Sequence, residues 1–139
     1  MNYTGVRIDS FNADPSPHYF STQDGGQFYL YATDDASNSG KYWDSTTWRL
    51  YTSPDMKAWT DAGIPLDVTV FKWARPDAKA WAPEAAQRNG RFYFYAPVGG
   101  DKIGVAVSNR PDGGFRAPMD GFTACPPVAN SLPRSAGNH

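Results

Sequence analysis

Apolar and aromatic residues alternate with polar ones in short runs along most of this chain, and Gly, Pro, Asp or Asn ends each run. A period of two suits a half-buried strand, because successive side chains point to opposite faces of a sheet. A comparable helical period is hard to find, so the expected fold class is all-β. The first run is His18 to Thr22, Asp24-Gly25-Gly26 supplies a hairpin turn, and Gln27 to Thr33 returns. After a polar stretch from Asp34 to Asp44, a third run covers Thr47 to Ser53. Ser53-Pro54-Asp55-Met56 then turns into a short fourth, Lys57 to Asp61, which Gly63 ends.

The pattern then recurs. Asn89-Gly90 is a hairpin signal, and Arg91 to Pro97 reads like Gln27 to Thr33. Lys102 to Ser108 matches the place of Thr47 to Ser53, and Asn109 to Phe115 copies the turn and aromatic of Ser53 to Trp59. Ala82-Pro83-Glu84 holds the place of Asp14-Pro15-Ser16. The chain thus reads as two copies of a four-stranded antiparallel unit, each opened by a proline turn that carries an acid. Such a repeat is the sequence form of a β-propeller blade. The spacing of roughly 55–70 residues exceeds the roughly 40–45 of WD-type blades, which long inter-strand loops account for. Two four-stranded sheets of a β-sandwich give the same strand count, and propellers close with about four to eight blades, of which two are present here. Residues 121–139 carry one aromatic and three prolines without alternation, so the expected organisation is two blades over 1–120 and an irregular or disordered tail over 121–139.

Composition narrows the function. Aromatics make up 15% of the 139 residues, with five Trp and eight Tyr, which suits a β-rich core or a face that stacks on sugars. The net charge is -1 and the basic residues are scattered, which argues against a nucleic-acid surface. The single Cys125 rules out an intramolecular disulfide and a cysteine metal cage. No apolar run reaches membrane-spanning length, so no membrane partner is expected. The residues from Met1 to Arg7 show no signal-peptide core, and a cytoplasmic location is the default expectation.

Candidate chemistry begins at Asn12-Ala13-Asp14-Pro15-Ser16-Pro17-His18. Proline fixes its own φ and biases the preceding residue toward extended geometry, so Asp14 is expected extended at the mouth of a strand. Asp-Pro and Ser-Pro are also ordinary turn starters, and alone they do not make Asp14 a catalyst.

Taken in order, Ala13-Asp14-Pro15-Ser16, Trp59-Thr60-Asp61-Ala62-Gly63 and Ala80-Trp81-Ala82-Pro83-Glu84 resemble glycoside hydrolase family 43. Asn89 to Tyr95 and Ile103 to Ser108 extend the likeness over roughly residues 10 to 118. The resemblance implies a five-bladed β-propeller of the β-xylosidase and α-L-arabinofuranosidase kind, acting with inversion through three carboxylates in a central funnel. It implies that Asp14 is the general base, while the family's pKa-tuning Asp and acid Glu belong to third and fourth blades without counterparts here. The expected function is therefore hydrolysis of xylo- or arabino-configured oligosaccharides, carried here by an N-terminal part with the base but without the acid, and inactive alone. A non-catalytic carbohydrate-binding module, or one that self-associates through open blade faces, is the alternative.

The resemblance also implies that Trp81 lines the substrate pocket. Trp43 and Trp73, both in loops, are candidates for outer subsites, and Asp34 and Asp35 for bonding sugar hydroxyls. Trp48 and Trp59 fall in runs read as strands and are expected in the core. Glu84 is read as a polar residue at the funnel wall or strand start rather than as the acid. His18 has no partner His or carboxylate cluster, so no metal role is assigned. The central calcium of some relatives would depend on the last blade, and no cofactor is expected.

Overall fold

A computed structural model describes residues 12–34, 44–100 and 102–118. The alternating runs form seven strands: β1 (Ser16–Thr22), β2 (Gly25–Thr33), β3 (Trp48–Ser53), β4 (Thr60–Gly63), β5 (Glu84–Arg88), β6 (Arg91–Val98) and β7 (Lys102–Ser108). They build two antiparallel sheets, ordered β1-β2-β3-β4 and β5-β6-β7. One turn of 3₁₀ helix, Val68–Val70, lies in the connection, its first turn closed by the Asp67 carboxylate accepting from the Thr69 N–H at 2.8 Å.

Turn chemistry explains where the strands depart from the expected limits. The run expected over Lys57 to Asp61 pairs only from Thr60 onward. Asp55 Oδ1 accepts from the N–H groups of Lys57 and Ala58 at 2.8 and 3.0 Å, so those donors are withdrawn from the ladder. Trp59 is left outside the strand, its indole N–H donating to the Met56 carbonyl. Asn89 and Gly90 have φ of 52° and 72°, the positive pair that a two-residue hairpin needs.

Among the described residues the second sheet has three strands, not four. After β7, Ser108 Oγ donates to the Gly113 carbonyl and Arg110 bridges Gly113, so the chain folds back in a tight turn where Pro111 has no N–H to offer. What remains of a fourth strand is one bridge, with the Val107 and Arg116 backbones exchanging bonds of 2.8 and 3.0 Å.

The core lies between the sheets. Phe20, Tyr31, Trp48 and Leu50 of the first sheet are at most 4% exposed, as are Phe92, Phe94, Ala96 and Val98 of the second. Phe20 meets Phe92 edge-on at 5.3 Å, and Phe94 sits 5.7 Å from Tyr31 and 5.1 Å from Trp48. Each such pair adds roughly 0.5–1.5 kcal/mol beyond area burial. Leu66, Val68 and Phe71 of the connection complete this cluster. Gly104 is required there, because a Cβ would come within 2.5 Å of the Phe71 ring.

Strand directions divide the molecule into two ends. Both β1 and β5 start at the same end as residues 44–47 and 79–83, tied there by the Ala80 N–H to Ser45 carbonyl bond of 2.8 Å. The hairpin turns at 23–24 and 89–90 lie at the other end. Every described candidate residue belongs to the first end.

Candidate active-site edge

The residues before Asp14 are fixed by the end of β2. Thr33 Oγ1 donates to the Ala13 carbonyl and accepts from the Ala13 N–H, both at 2.9 Å, and the Thr33 N–H reaches the same carbonyl at 3.1 Å. Asn12 Nδ2 donates to the Thr33 carbonyl at 2.7 Å, while the Tyr51 hydroxyl donates to Asn12 Oδ1 at 2.9 Å. Asp14 then turns the chain with φ of 51°. This corrects the extended geometry expected of a residue before proline. Left-handed backbone costs a non-glycine residue about 1–2 kcal/mol, and Asp is among the side chains that tolerate it singly. The Asp14 side chain is exposed.

On the other side of that turn, β1 meets the second sheet. Ser16 Oγ donates to Glu84 Oε1 at 2.9 Å, and His18 Nε2 lies 2.6 Å from the same oxygen and 2.9 Å from Ser16 Oγ. His18 therefore has one carboxylate partner, 66 positions further along the chain. With the serine proton directed to Glu84, Nε2 must carry a hydrogen for both of its contacts to be favourable. A nucleophile–base–acid triad needs serine and carboxylate on opposite ring nitrogens. Here both sit on Nε2, so the set is a clasp and not a proton relay. His18 also stacks on Phe20, ring centres 5.1 Å apart.

Partial desolvation works to raise the Glu84 carboxyl, but the Ala85 N–H at 2.8 Å, the Ser16 hydroxyl and His18 outweigh it and hold the group below the ordinary glutamate range. Glu84 is ionised near neutrality, the opposite of what a general acid requires. It opens β5, as the strand-start reading expected.

Asp34 is 6% exposed, and its oxygens are used within the fold. Arg49 Nε bonds Oδ1 at 3.1 Å, and Arg49 Nη2 and Thr47 Oγ1 bond Oδ2 at 3.3 and 3.1 Å. The Arg49 guanidinium in turn has its pKa raised, first by the hydrogen bond to Asp34. This geometry makes Asp34 a brace between the end of β2 and the start of β3.

Trp81 lies half-buried just ahead of β5, its carbonyl accepting from the Trp48 indole at 2.7 Å and its N–H donating to the Pro97 carbonyl at 3.1 Å. Trp73 packs partly buried against the core, 5.5 Å from Phe71, with Lys102 Nζ 5.4 Å from the ring centre. Trp43 and Asp35 lie outside the described residues. Trp48 is fully buried. Among the described residues no group of three or more His, Cys, Asp or Glu converges as a metal site would need.

The residues that sequence reasoning missed are Thr33, Ser16 and the His18–Glu84 pair. Thr33 ends an ordinary strand run, and the Ser16–Glu84 contact spans 68 positions, so no local pattern announces either.

The model of the Glycosyl hydrolases family 43 matches residues 4–131. Xylosidase/arabinosidase 43A of Humicola insolens is 31% identical over 118 residues, covering 76% of this chain and 34% of that protein. A xylosidase/arabinosidase of Bacteroides ovatus is 26% identical over 133 residues, 85% of this chain and 39% of the relative. Among solved structures, the GH43_1 enzyme from Xanthomonas citri complexed with xylotriose matches with a TM-score of 0.66 at 36% identity, covering 78% of this chain and 32% of the enzyme. CoXyl43, a β-xylosidase/α-arabinofuranosidase from a compost microbial metagenome, gives 0.68 at 29%, with 86% and 38% covered. These neighbours are β-propellers, so the two sheets are blades and not the halves of a sandwich. The chain spans about a third of the length of the relatives it matches.

Proposed function

This chain belongs to glycoside hydrolase family 43, and we propose that it supplies the general-base side of a xylosidase- or arabinosidase-type active site, with Asp14 as the base. The observation that carries the reading is the contrast in commitment at the shared end of the blades. Asp34 and Glu84 are occupied by fixed partners, while Asp14 is exposed on a turn held in left-handed backbone. Strained backbone persists where its surroundings over-determine it, and catalytic positions are where it concentrates. A carboxylate so placed can take the proton of a water attacking a sugar from one face.

Hydrolysis with inversion needs a second, protonated carboxyl about 6.5–9.5 Å from the base, with room for that water between them. Glu84 does not qualify, being ionised and tied to Ser16 and His18. In this reading the acid comes from a part of the whole protein beyond these two blades, and Trp81, at the entrance to β5, forms part of the sugar-facing wall.

A polypeptide of these 139 residues alone should leave nitrophenyl xyloside and nitrophenyl arabinofuranoside intact, since losing an acid–base group costs about 10²–10⁴-fold in rate. Turnover by this chain that Asp14→Ala abolishes would overturn the division of labour. Calorimetry with xylo-oligosaccharides separates a catalytic part from a sugar-binding module: binding lost in Trp81→Ala and kept in Asp14→Ala favours the module. Light scattering that gives a defined oligomer favours self-association of open blade faces.

A further inference from the structure

The ladder of the first blade does not reach the turn that holds Asp14. β1 pairs with β2 over seven residues, from Ser16 with Tyr31 to Thr22 with Gly25, and Asp14 lies two positions before the first pair. A left-handed residue outside the ladder relaxes unless something else holds it. Thr33 holds the segment from before the turn, through Ala13. Beyond the turn, the anchor comes from the neighbouring blade.

We infer that Glu84 is a positioning residue for Asp14, acting across the blade junction through Ser16 and His18; the catalytic meaning of this rests on the reading of Asp14 as the base. All of its fixed contacts converge on one oxygen. Oε1 receives Ser16 Oγ at 2.9 Å, His18 Nε2 at 2.6 Å and the Ala85 N–H at 2.8 Å. The Ala85 bond ties the carboxylate to β5, so its place is set by the second blade. The stack of His18 on Phe20 fixes the imidazole against the first blade. Ser16, buried to 8% exposure, is two positions from Asp14 and transmits the constraint. Trp81 lies three positions before Glu84, which means one carboxylate sets the register between the base-bearing turn and the indole wall.

The test is nuclear magnetic resonance on the isotope-labelled chain, because positive φ gives Asp14 a strong intraresidue HN–Hα cross-peak. Glu84→Ala should weaken that cross-peak and speed exchange of the Ser16 amide by about tenfold, while the amides of Tyr31 and Phe94 keep their protection. Glu84→Gln retains an acceptor at Oε1 and should restore most of the signature. Ser16→Ala should reproduce Glu84→Ala, and the double variant should add nothing. If Glu84→Ala fails to fold, Ser16→Ala and Glu84→Gln decide the matter. An unchanged Asp14 signature in any folded variant lacking the clasp, or additive effects of the two alanines, overturns the proposal. None of these readouts uses turnover. Retained activity of Asp14→Asn in a longer protein carrying this chain would therefore remove the base reading and leave the clasp standing.

Discussion

The two blades open on equivalent proline turns and use the acids there in opposite ways. In the first, Asp14 precedes the strand, is exposed, and sits in left-handed backbone. In the second, Glu84 is the first residue of β5, and one of its oxygens takes three hydrogen-bonding partners. The proline turn is shared and both acids are exposed, but Asp14 lies two residues before β1 whereas Glu84 is the first residue of β5 and reaches the next blade through Ser16 and His18. An acid after the proline is pulled into the ladder and becomes a joint. An acid before the proline stays outside the ladder.

That contrast presumes that the blades behave as one body, which the shared aromatic core predicts. Phe94 is fully buried and touches Tyr31 and Trp48 of the first blade and Phe115 of its own. Phe94→Ala should cost about 3–5 kcal/mol. Urea unfolding followed both by tryptophan fluorescence and by amide exchange should show a single shifted transition. Two separated transitions would mean that the blades are independent, and the comparison of their turns would lose its basis.

The next largest effect distinguishes a bracing acid from a free one. Removing Asp34 takes away three hydrogen bonds at the end of β2 and leaves Arg49, a quarter exposed, with Asp61 at 3.0 Å. Because hydrogen bonds to charged groups contribute roughly 1.5–3 kcal/mol, Asp34→Ala should lower stability by about 2–3 kcal/mol. The checking measurement is the denaturation midpoint at constant slope. A loss below about 0.5 kcal/mol would return Asp34 to the pool of groups free to meet a sugar.

How much of this was legible in the chain follows the range of each interaction. The first three strands, the Asn89-Gly90 hairpin and the core placement of Trp48 rest on local periodicity and turn chemistry, and they were readable. The order of the proline motifs pointed to the family that residues 4–131 match. The loss of a full fourth strand after β7 was not readable, since it depends on Ser108 closing onto Gly113. The bracing of Asp34 is a matter of which side chains meet in space. The left-handed Asp14 went against the local rule, because the Thr33 bonds on one side and the Ser16–Glu84 contact on the other override the preference of a residue before proline.

A smaller effect concerns pH. The Glu84 carboxyl is held below the ordinary glutamate range in the folded chain. Its contribution is therefore fully present above the unfolded-state value and is lost as pH falls through the folded-state value. Stability of the native chain minus that of Glu84→Gln should be positive near neutrality and shrink toward zero on acidification below the ordinary glutamate range. Paired denaturation curves along that titration check it. A difference that grows on acidification would mean that Glu84 is protonated in its clasp, and would reopen its use as an acid.

The smallest expected change in stability carries the sharpest statement about Asp14. Glycine has no Cβ to clash at a φ of 51°, so Asp14→Gly removes the strain of the turn along with the carboxylate. The greater freedom of glycine in the unfolded chain offsets part of that relief. The net effect should lie between no change and a gain of about 1 kcal/mol, read as the shift in denaturation midpoint, whereas Glu84→Gly should lower stability. In a longer, active protein carrying this chain, Asp14→Gly should also reduce kcat by about 10²–10⁴-fold. A group whose removal leaves the fold intact and stops the reaction is retained for chemistry. If Asp14→Gly instead destabilises the chain by more than about 1 kcal/mol, the Asp14 carboxylate is a structural group like Glu84, and the two turns differ in geometry alone.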